Sequence, residues 1–260
     1  MNRSPLDVEV LRAAISGTQW QRVDVVEQTG STNADLIARA AAGEDIAGAV
    51  LLAEYQSAGR GRHGRSWSAP PRSQISMSVG IDTLGVAPGR WGWLPLLTGL
   101  AVAHTVRDLG IDAGLKWPND VLVGTGKLAG ILAEVAAPVI VVGLGLNVSL
   151  TADELPDPQA VSLNMLGDDA DRTALTLSLL GALGDRLGRW HAADIAPLAA
   201  DYRSVSTTIG TRVRAILPGD SEIVGTATGI DDSGRLLIED GGTAVTVSAG
   251  DITHLRAAEN

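Results

Sequence analysis

The sequence contains no cysteine, which removes disulfides, thiolate zinc sites and a cysteine nucleophile from consideration. Histidine is scarce as well. His63, His104, His191 and His254 are scattered without paired metal-ligand spacing, so a metal held only by protein side chains is not expected. Positive charge is in deficit, with 20 Lys+Arg against 30 Asp+Glu and a formal net charge of -10. A surface field of that sign disfavours polyphosphate duplexes. From Met1 to Gly17 acidic residues interrupt the apolar ones, leaving no run of signal-peptide or membrane-span length. The expectation is a cytosolic protein with no membrane partner. What is present is a chain of 260 residues, 45% hydrophobic, which can bury a substantial core and has room for one large domain and a small one.

Against the acidic background one segment stands out. Gly59-Arg60-Gly61-Arg62-His63-Gly64-Arg65, followed by Trp67, puts three arginines and three glycines into seven residues. Glycine allows positive φ and close approach of backbone to ligand, and each guanidinium presents a planar fork of donors suited to carboxylate or phosphate oxygens. A solvated turn or a nucleic-acid contact is the competing reading of such a loop. A local basic site in an acidic protein suits a small anionic ligand better.

Hydrophobic periodicity organises the rest. Leu6 to Ile15 has the spacing of a short helix, and Val23 to Val26 reads as a strand entering the turn Thr29-Gly30-Ser31-Thr32-Asn33. Helical spacing then runs from Asn33 to a stop at Gly43, with Ser31, Thr32 or Asn33 as N-cap. Ala49 to Glu54 is a buried-type strand that delivers Gln56 and the Arg/Gly loop, and Gln74 to Ile81 alternates as a second strand. Trp91 to Leu109 is a long apolar helix, its tryptophans expected in the core. Lys127 to Glu134 and Val139 to Val148 read as neighbouring strands, and Asp171 to His191 and Asp194 to Tyr202 as helices. Beyond Ser206 come short strands, Thr211 to Leu217, Glu222 to Ile230, Arg235 to Glu239 and Ala244 to Ser248. Turns at Pro218-Gly219-Asp220, Asp231 to Gly234 and Gly241-Gly242 join them, which reads as a small β-barrel. The expected fold is α+β, with a first domain over 1–205 and a second over 206–260.

Two nucleotide motifs fail on inspection. Gly59, Gly61 and Gly64 satisfy G-x-G-x-x-G, but the residues that follow, Arg65 to Pro71, do not open the helix a dinucleotide fingerprint requires. Gly126-Lys127 is followed by Leu128, and Val121 stands where a P-loop needs its first glycine.

The succession Gly-Arg-Gly-Arg-x-Gly-Arg-x-Trp (59–67), Lys-Trp-Pro-Asn-Asp (116–120) and Lys-Leu-Ala-Gly-Ile-Leu (127–132) resembles the biotin protein ligase family. The resemblance runs motif by motif from about Val25 to Asn147 and more loosely beyond. It implies a mixed-sheet catalytic domain flanked by helices, with a C-terminal SH3-like β-barrel. Longer members of the family add an N-terminal winged helix-turn-helix and act as repressors. About twenty residues precede the first strand, too few for one, so specific DNA binding is not expected.

The resemblance also implies the chemistry. ATP, arriving with Mg²⁺, and biotin give biotinyl-5'-AMP, whose acyl group passes to a lysine of a biotin carboxyl carrier domain. Arg60, Arg62 and Lys127 are implied to neutralise the carboxylate and the α-phosphate. Ser31, Thr32, Asn33 and Gln56 are implied to bind the ureido ring, with Gly61 and Gly130 allowing close backbone approach. Trp67 would stack on adenine, with Arg65, Lys116, Asn119 and Asn147 near the nucleotide. Asp120 would orient and help deprotonate the incoming lysine, or else fix the Lys116 loop. Closure of the Arg/Gly loop over the adenylate would exclude water. An RNA- or nucleotide-binding module without ligase activity is the alternative from another class.

Overall fold

The computed structural model describes residues 3–217, 221–248 and 251–254. The Pro218-Gly219-Asp220 turn expected from the sequence lies outside the described residues. Helix α1 (Val8–Ala14) precedes strand β1 (Arg22–Val26), helix α2 (Thr32–Ala41) and strand β2 (Ala49–Ala53), and β1 and β2 pair in parallel as the two strands of a crossover unit. Strand β3 (Gln74–Asp82), helix α3 (Trp93–Asp108), and strands β4 (Ala113–Lys116), β5 (Asp120–Val123), β6 (Gly126–Ala136) and β7 (Val139–Asn147) follow. The seven strands form one mixed sheet in the order β1-β2-β3-β7-β6-β5-β4.

Period-two alternation decides what covers each face. On β2, Val50 and Leu52 join the large core with α1 and α3, whereas Ala49 and Leu51 join a smaller cluster with Leu36 of α2. Strand β7 continues that division. Val139 and Val141 belong to the small cluster; Gly143, Gly145 and Asn147, next along the same face, border a cleft, with only the start of α2 reaching over Gly143. The other face is closed by α3 and by α4 (Arg172–His191), which packs with α5 (Ile195–Val205). Helix α3 is buried nearly all round, as its unbroken apolar sequence requires.

The second sheet is built from β8 (Arg212–Ile216), β9 (Glu222–Ile230), β10 (Leu236–Asp240), β11 (Thr243–Val247) and β12 (Asp251–His254), in the order β11-β10-β9-β8-β12. It is antiparallel throughout. Among the described residues no pairing joins β11 to β12, so what is seen of the expected barrel is an open five-stranded sheet. Two indoles fasten it to the rest: Trp93 Nε1 donates to Asp232 O at 2.9 Å and Trp117 Nε1 to Gly234 O at 3.0 Å. The apolar core runs without a break through both sheets.

Candidate active site

The fifteen residues singled out from the sequence meet in one cleft of about 640 Å³, roofed by the Arg/Gly loop and floored by β3, β7 and β6. Its first wall is the start of α2. A parallel bridge between Thr29 and Gln56 prolongs the β1–β2 pairing and sets Gln56 beside the helix N-terminus. Ser31 is the N-cap, its hydroxyl accepting from Ala34 N. Gln56 Oε1 accepts from Thr32 N at 2.8 Å and from Thr32 Oγ1 at 3.1 Å. The carbonyl end of Gln56 is thereby committed, and its amide nitrogen is the donor that end of the cleft can offer.

Asn33 is fixed more fully. Its Nδ2 donates to Leu132 O at 3.1 Å and to Glu134 Oε2 at 2.8 Å, while its Oδ1 accepts from Ser78 Oγ at 2.6 Å. Both amide hydrogens are used and one lone pair remains.

The loop itself is a tight hairpin. Trp67 N donates to Gly59 O at 2.8 Å, Gly61 N to Arg65 O at 2.7 Å, and Arg60 bridges Ser66. His63 (φ 54°) and Gly64 (φ 72°) turn the chain through left-handed backbone. A Cβ on Gly59 would stand 2.3 Å from the Trp67 carbonyl oxygen, so only glycine allows the two ends to meet. Arg60 Nη2 lies 2.9 Å from Glu134 Oε2, and Arg62 Nη1 donates to Asn119 Oδ1 at 3.0 Å. Asn119 is anchored in turn, exchanging two backbone-directed bonds with Ile131.

Across the floor lies Trp67. Its Nε1 donates to Gln74 Oε1 at 2.7 Å, and Lys127 Nζ stands 5.5 Å from the ring centroid. The indole rests on glycine: a Cβ on Gly145 would come within 2.3 Å of Nε1, and one on Gly130 within 3.2 Å of Cζ3. Lys127 also pairs with Asp120 Oδ1 at 2.7 Å. Asn147 Nδ2 donates to Val161 O at 3.0 Å, tying the 156–161 segment to the strand ends. Lys116 lines the same end, from the close of β4.

Five cations, Arg60, Arg62, Arg65, Lys116 and Lys127, line the cleft against two carboxylates, Asp120 and Asp157. It is therefore a positive region in a chain of net charge -10, suited to anionic ligands. Among the described residues no group of three or more His, Cys, Asp or Glu could hold a metal ion, and no helix is long and apolar enough to cross a membrane.

Ser78, Glu134, Gly143, Gly145 and Gln74 take part in this geometry although the sequence did not mark them as site residues. The signal was a polar or glycine period of two, Gln74-x-Ser76-x-Ser78 and Gly143-x-Gly145-x-Asn147, which marks one sheet face as unfilled.

Residues 25–149 match the biotin/lipoate A/B protein ligase family, and residues 208–255 match the biotin protein ligase C terminal domain. The chain is 54% identical to the biotin--[acetyl-CoA-carboxylase] ligase of Mycobacterium tuberculosis (strain ATCC 25618 / H37Rv), over 98% of this chain and 97% of that protein. It is 34% identical to the bifunctional ligase/repressor BirA of Escherichia coli (strain K12), over 91% of this chain and 75% of that one. Among solved structures, the biotin protein ligase of Aquifex aeolicus in complex with biotin and ATP is similar with a TM-score of 0.80 at 25% identity, over 92% of this chain and 100% of that chain.

Proposed function

The chain belongs to the biotin protein ligase family, and from that premise we infer that it is an ATP-dependent biotin ligase acting on the biotin carboxyl carrier of acetyl-CoA carboxylase. Biotin and ATP combine to biotinyl-5'-AMP and pyrophosphate, and the carrier's lysine then takes the biotinyl group and releases AMP. The observation that carries this reading is the convergence, in one cleft, of five cations with an amide and hydroxyl set on a glycine floor.

Residue roles follow from what each group has left to offer. A carboxylate and a phosphate brought to about 4 Å repel by roughly 4 kcal/mol near a protein surface. Arg60, Arg62 and Lys127 offset that repulsion and then stabilise the charge that develops on the phosphoryl oxygens. The remaining Asn33 Oδ1 lone pair suits a ureido N–H, and the Gln56 amide nitrogen and Ser31 hydroxyl suit the ureido carbonyl. Gly61 and Gly130 allow the ligand close to the backbone, Gly130 where Lys127 and Trp67 meet. Trp67, held flat by Gln74 and Gly145, offers its outer face to adenine, with Arg65, Lys116, Asn119 and Asn147 around the nucleotide. Asp120 orients the incoming lysine and accepts its proton, assisted by release from Lys127.

Mg²⁺ enters as part of the ATP substrate. The cleft, rich in cations and without a carboxylate cluster, suits a metal carried by phosphate oxygens and not a resident one. The division into 1–205 and 206–260 is kept as part of this reading, and both units reach the cleft, the second through Ile216 and Ile252. ATP and carrier supply agree with a cytosolic site of action. Incubating the protein with ATP, Mg²⁺ and biotin, with lipoate in parallel, and reading adenylate by mass spectrometry tests the whole. Biotinyl-AMP from biotin alone is expected; no adenylate from the folded protein, with salt-sensitive RNA binding instead, would reverse the reading.

A further inference from the structure

We propose that Glu134, Ser78 and Gly143 form a positioning frame that fixes the polarity of the Asn33 amide and ties it to Arg60 of the Arg/Gly loop. The proposal rests on the ligase reading above, in which Asn33 meets the ureido ring.

Two facts of register make the frame. Ser78 pairs with Gly143 between β3 and β7, and Gly143 pairs with Leu132 between β7 and β6. The three residues therefore stand in one row across three strands. The Asn33 amide lies over the middle of that row, where a Cβ on Gly143 would come within 2.3 Å of Oδ1. Absence of a side chain at Gly143 makes the seat, and the residues on either side hold the amide in it.

The polarity is unambiguous on chemical grounds. Leu132 O and Glu134 Oε2 can only accept, so the amide atom facing both is nitrogen. The opposite atom is the oxygen, 2.6 Å from Ser78 Oγ, whose single hydrogen is shared between it and Thr32 Oγ1, also at 2.6 Å. Asn33 can then only accept from a ligand, which selects a ring bearing N–H groups over one that offers acceptors alone. If the amide were reversed, an acceptor would face two acceptors, and the site would lose both its orientation and its preference.

Glu134 does a second thing with the same oxygen, which also receives Arg60 Nη2 at 2.9 Å. One carboxylate oxygen thus links the ureido end to the loop that bears the phosphate-neutralising arginines. Glu134 and Ser78 touch no reacting atom; Glu134 acts through Asn33 and Arg60, and Ser78 through Asn33 and Thr32.

The test is biotin-dependent pyrophosphate exchange by wild type, Glu134→Ala, Glu134→Gln and Ser78→Ala, each with a thermal melt. Removing a hydrogen bond to a charged group should raise the KM for biotin about tenfold in Glu134→Ala. The KM for ATP should rise by less, because Arg60 loses its Glu134 anchor while Arg65, Trp67, Lys116, Asn119 and Asn147 are untouched. Glu134→Gln keeps an acceptor oxygen and should recover most of the biotin affinity, a rescue that a loss of general stability would not give. Should Glu134→Ala fail to fold, Ser78→Ala removes the opposite clamp and should show the same biotin-selective rise. Unchanged biotin KM in folded variants, or equal rises for biotin and ATP, would overturn the frame. Exchange absent in wild type would instead refute the ligase reading, and the frame's purpose with it.

Discussion

Replacing Gly145 by alanine isolates the contribution of the Trp67 seat to nucleotide binding. The added Cβ would lie 2.3 Å from Trp67 Nε1, 2.4 Å from Cε2 and 2.8 Å from Cζ2. Three atoms of a rigid ring cannot all give way by small adjustments, so the indole must lift or swing. Lifting it breaks the 2.7 Å bond to Gln74, a net contribution of about 0.5–1.5 kcal/mol. It also separates the ring from Lys127 Nζ, now 5.5 Å from its centroid, a cation–π contact contributing about 0.5–1 kcal/mol at an exposed site. The two together give about 1 to 2.5 kcal/mol, or a fall in ATP affinity of roughly fivefold to seventyfold. Biotin binding should change little, since the ureido wall lies one row away along β7.

Calorimetric titration of ATP and of biotin, separately, into wild type and Gly145→Ala reads both numbers. The decisive control is the same substitution made in Trp67→Ala. With no indole to meet, the new methyl should cost almost nothing, so the double-mutant cycle should show coupling close to the whole single-site effect. An ATP affinity unchanged in Gly145→Ala, or a loss that persists undiminished without Trp67, would refute the argument.

Other substitutions probe the remaining parts. Asp120→Asn removes the carboxylate 2.7 Å from Lys127 Nζ and should slow transfer to the carrier more than adenylate formation, read by separate single-turnover assays; equal losses would reduce Asp120 to a support for its loop. Arg62→Gly breaks the bond to Asn119 and should raise the biotinyl-AMP found free in solution, measured after rapid filtration. Glu54→Ala leaves Arg172, whose side chain is 7% exposed, without its buried ion-pair partner, at a cost of about 3–5 kcal/mol, and should lower the melting temperature by roughly 6 to 20 °C. Burial first, and then the charge of Arg186, hold His104 below its usual value near 6.5, against opposing pulls from Asp201 and Asp108. The unfolded chain therefore takes up this proton first as pH falls, so stability is full above about 6.5 and declines below it; His104→Gln should flatten that decline in melts from pH 7.5 to 5.

Helices were legible because their apolar spacing is long enough to exclude other periods. Strands β4 and β5 were not, because Ala113-Gly114-Leu115-Lys116 is too short and too poor in β-branched residues to declare itself. They are strands because they pair with each other around the turn at Trp117 and because Leu115 O receives Thr207 N from beyond α5. Strand β12 is likewise four residues long and owes its state to pairing with β8. Site residues were legible where the chemistry is clustered in the chain, as in the Arg/Gly loop, and hidden where it is assembled across strands.

Glu134 and Ser78 belong to the second kind. Nothing in either neighbourhood of the sequence indicates that both will meet Asn33, since that depends on the register of β3, β7 and β6 and on α2 crossing above them. A slip of one residue would send Gly143 and Gly145 to the core face and bring Leu144 up under the amide and the indole. Asn33 sits over Gly143 and Trp67 over Gly145, successive positions on one face of β7 and so roughly 7 Å apart along the strand. A single register therefore sets the acceptor for one ligand and the stacking face for the other at a fixed separation. The dense packing of Val142, Leu144 and Leu146 on the opposite face holds that register in place, which is how an apolar core that touches neither ligand determines the distance between them.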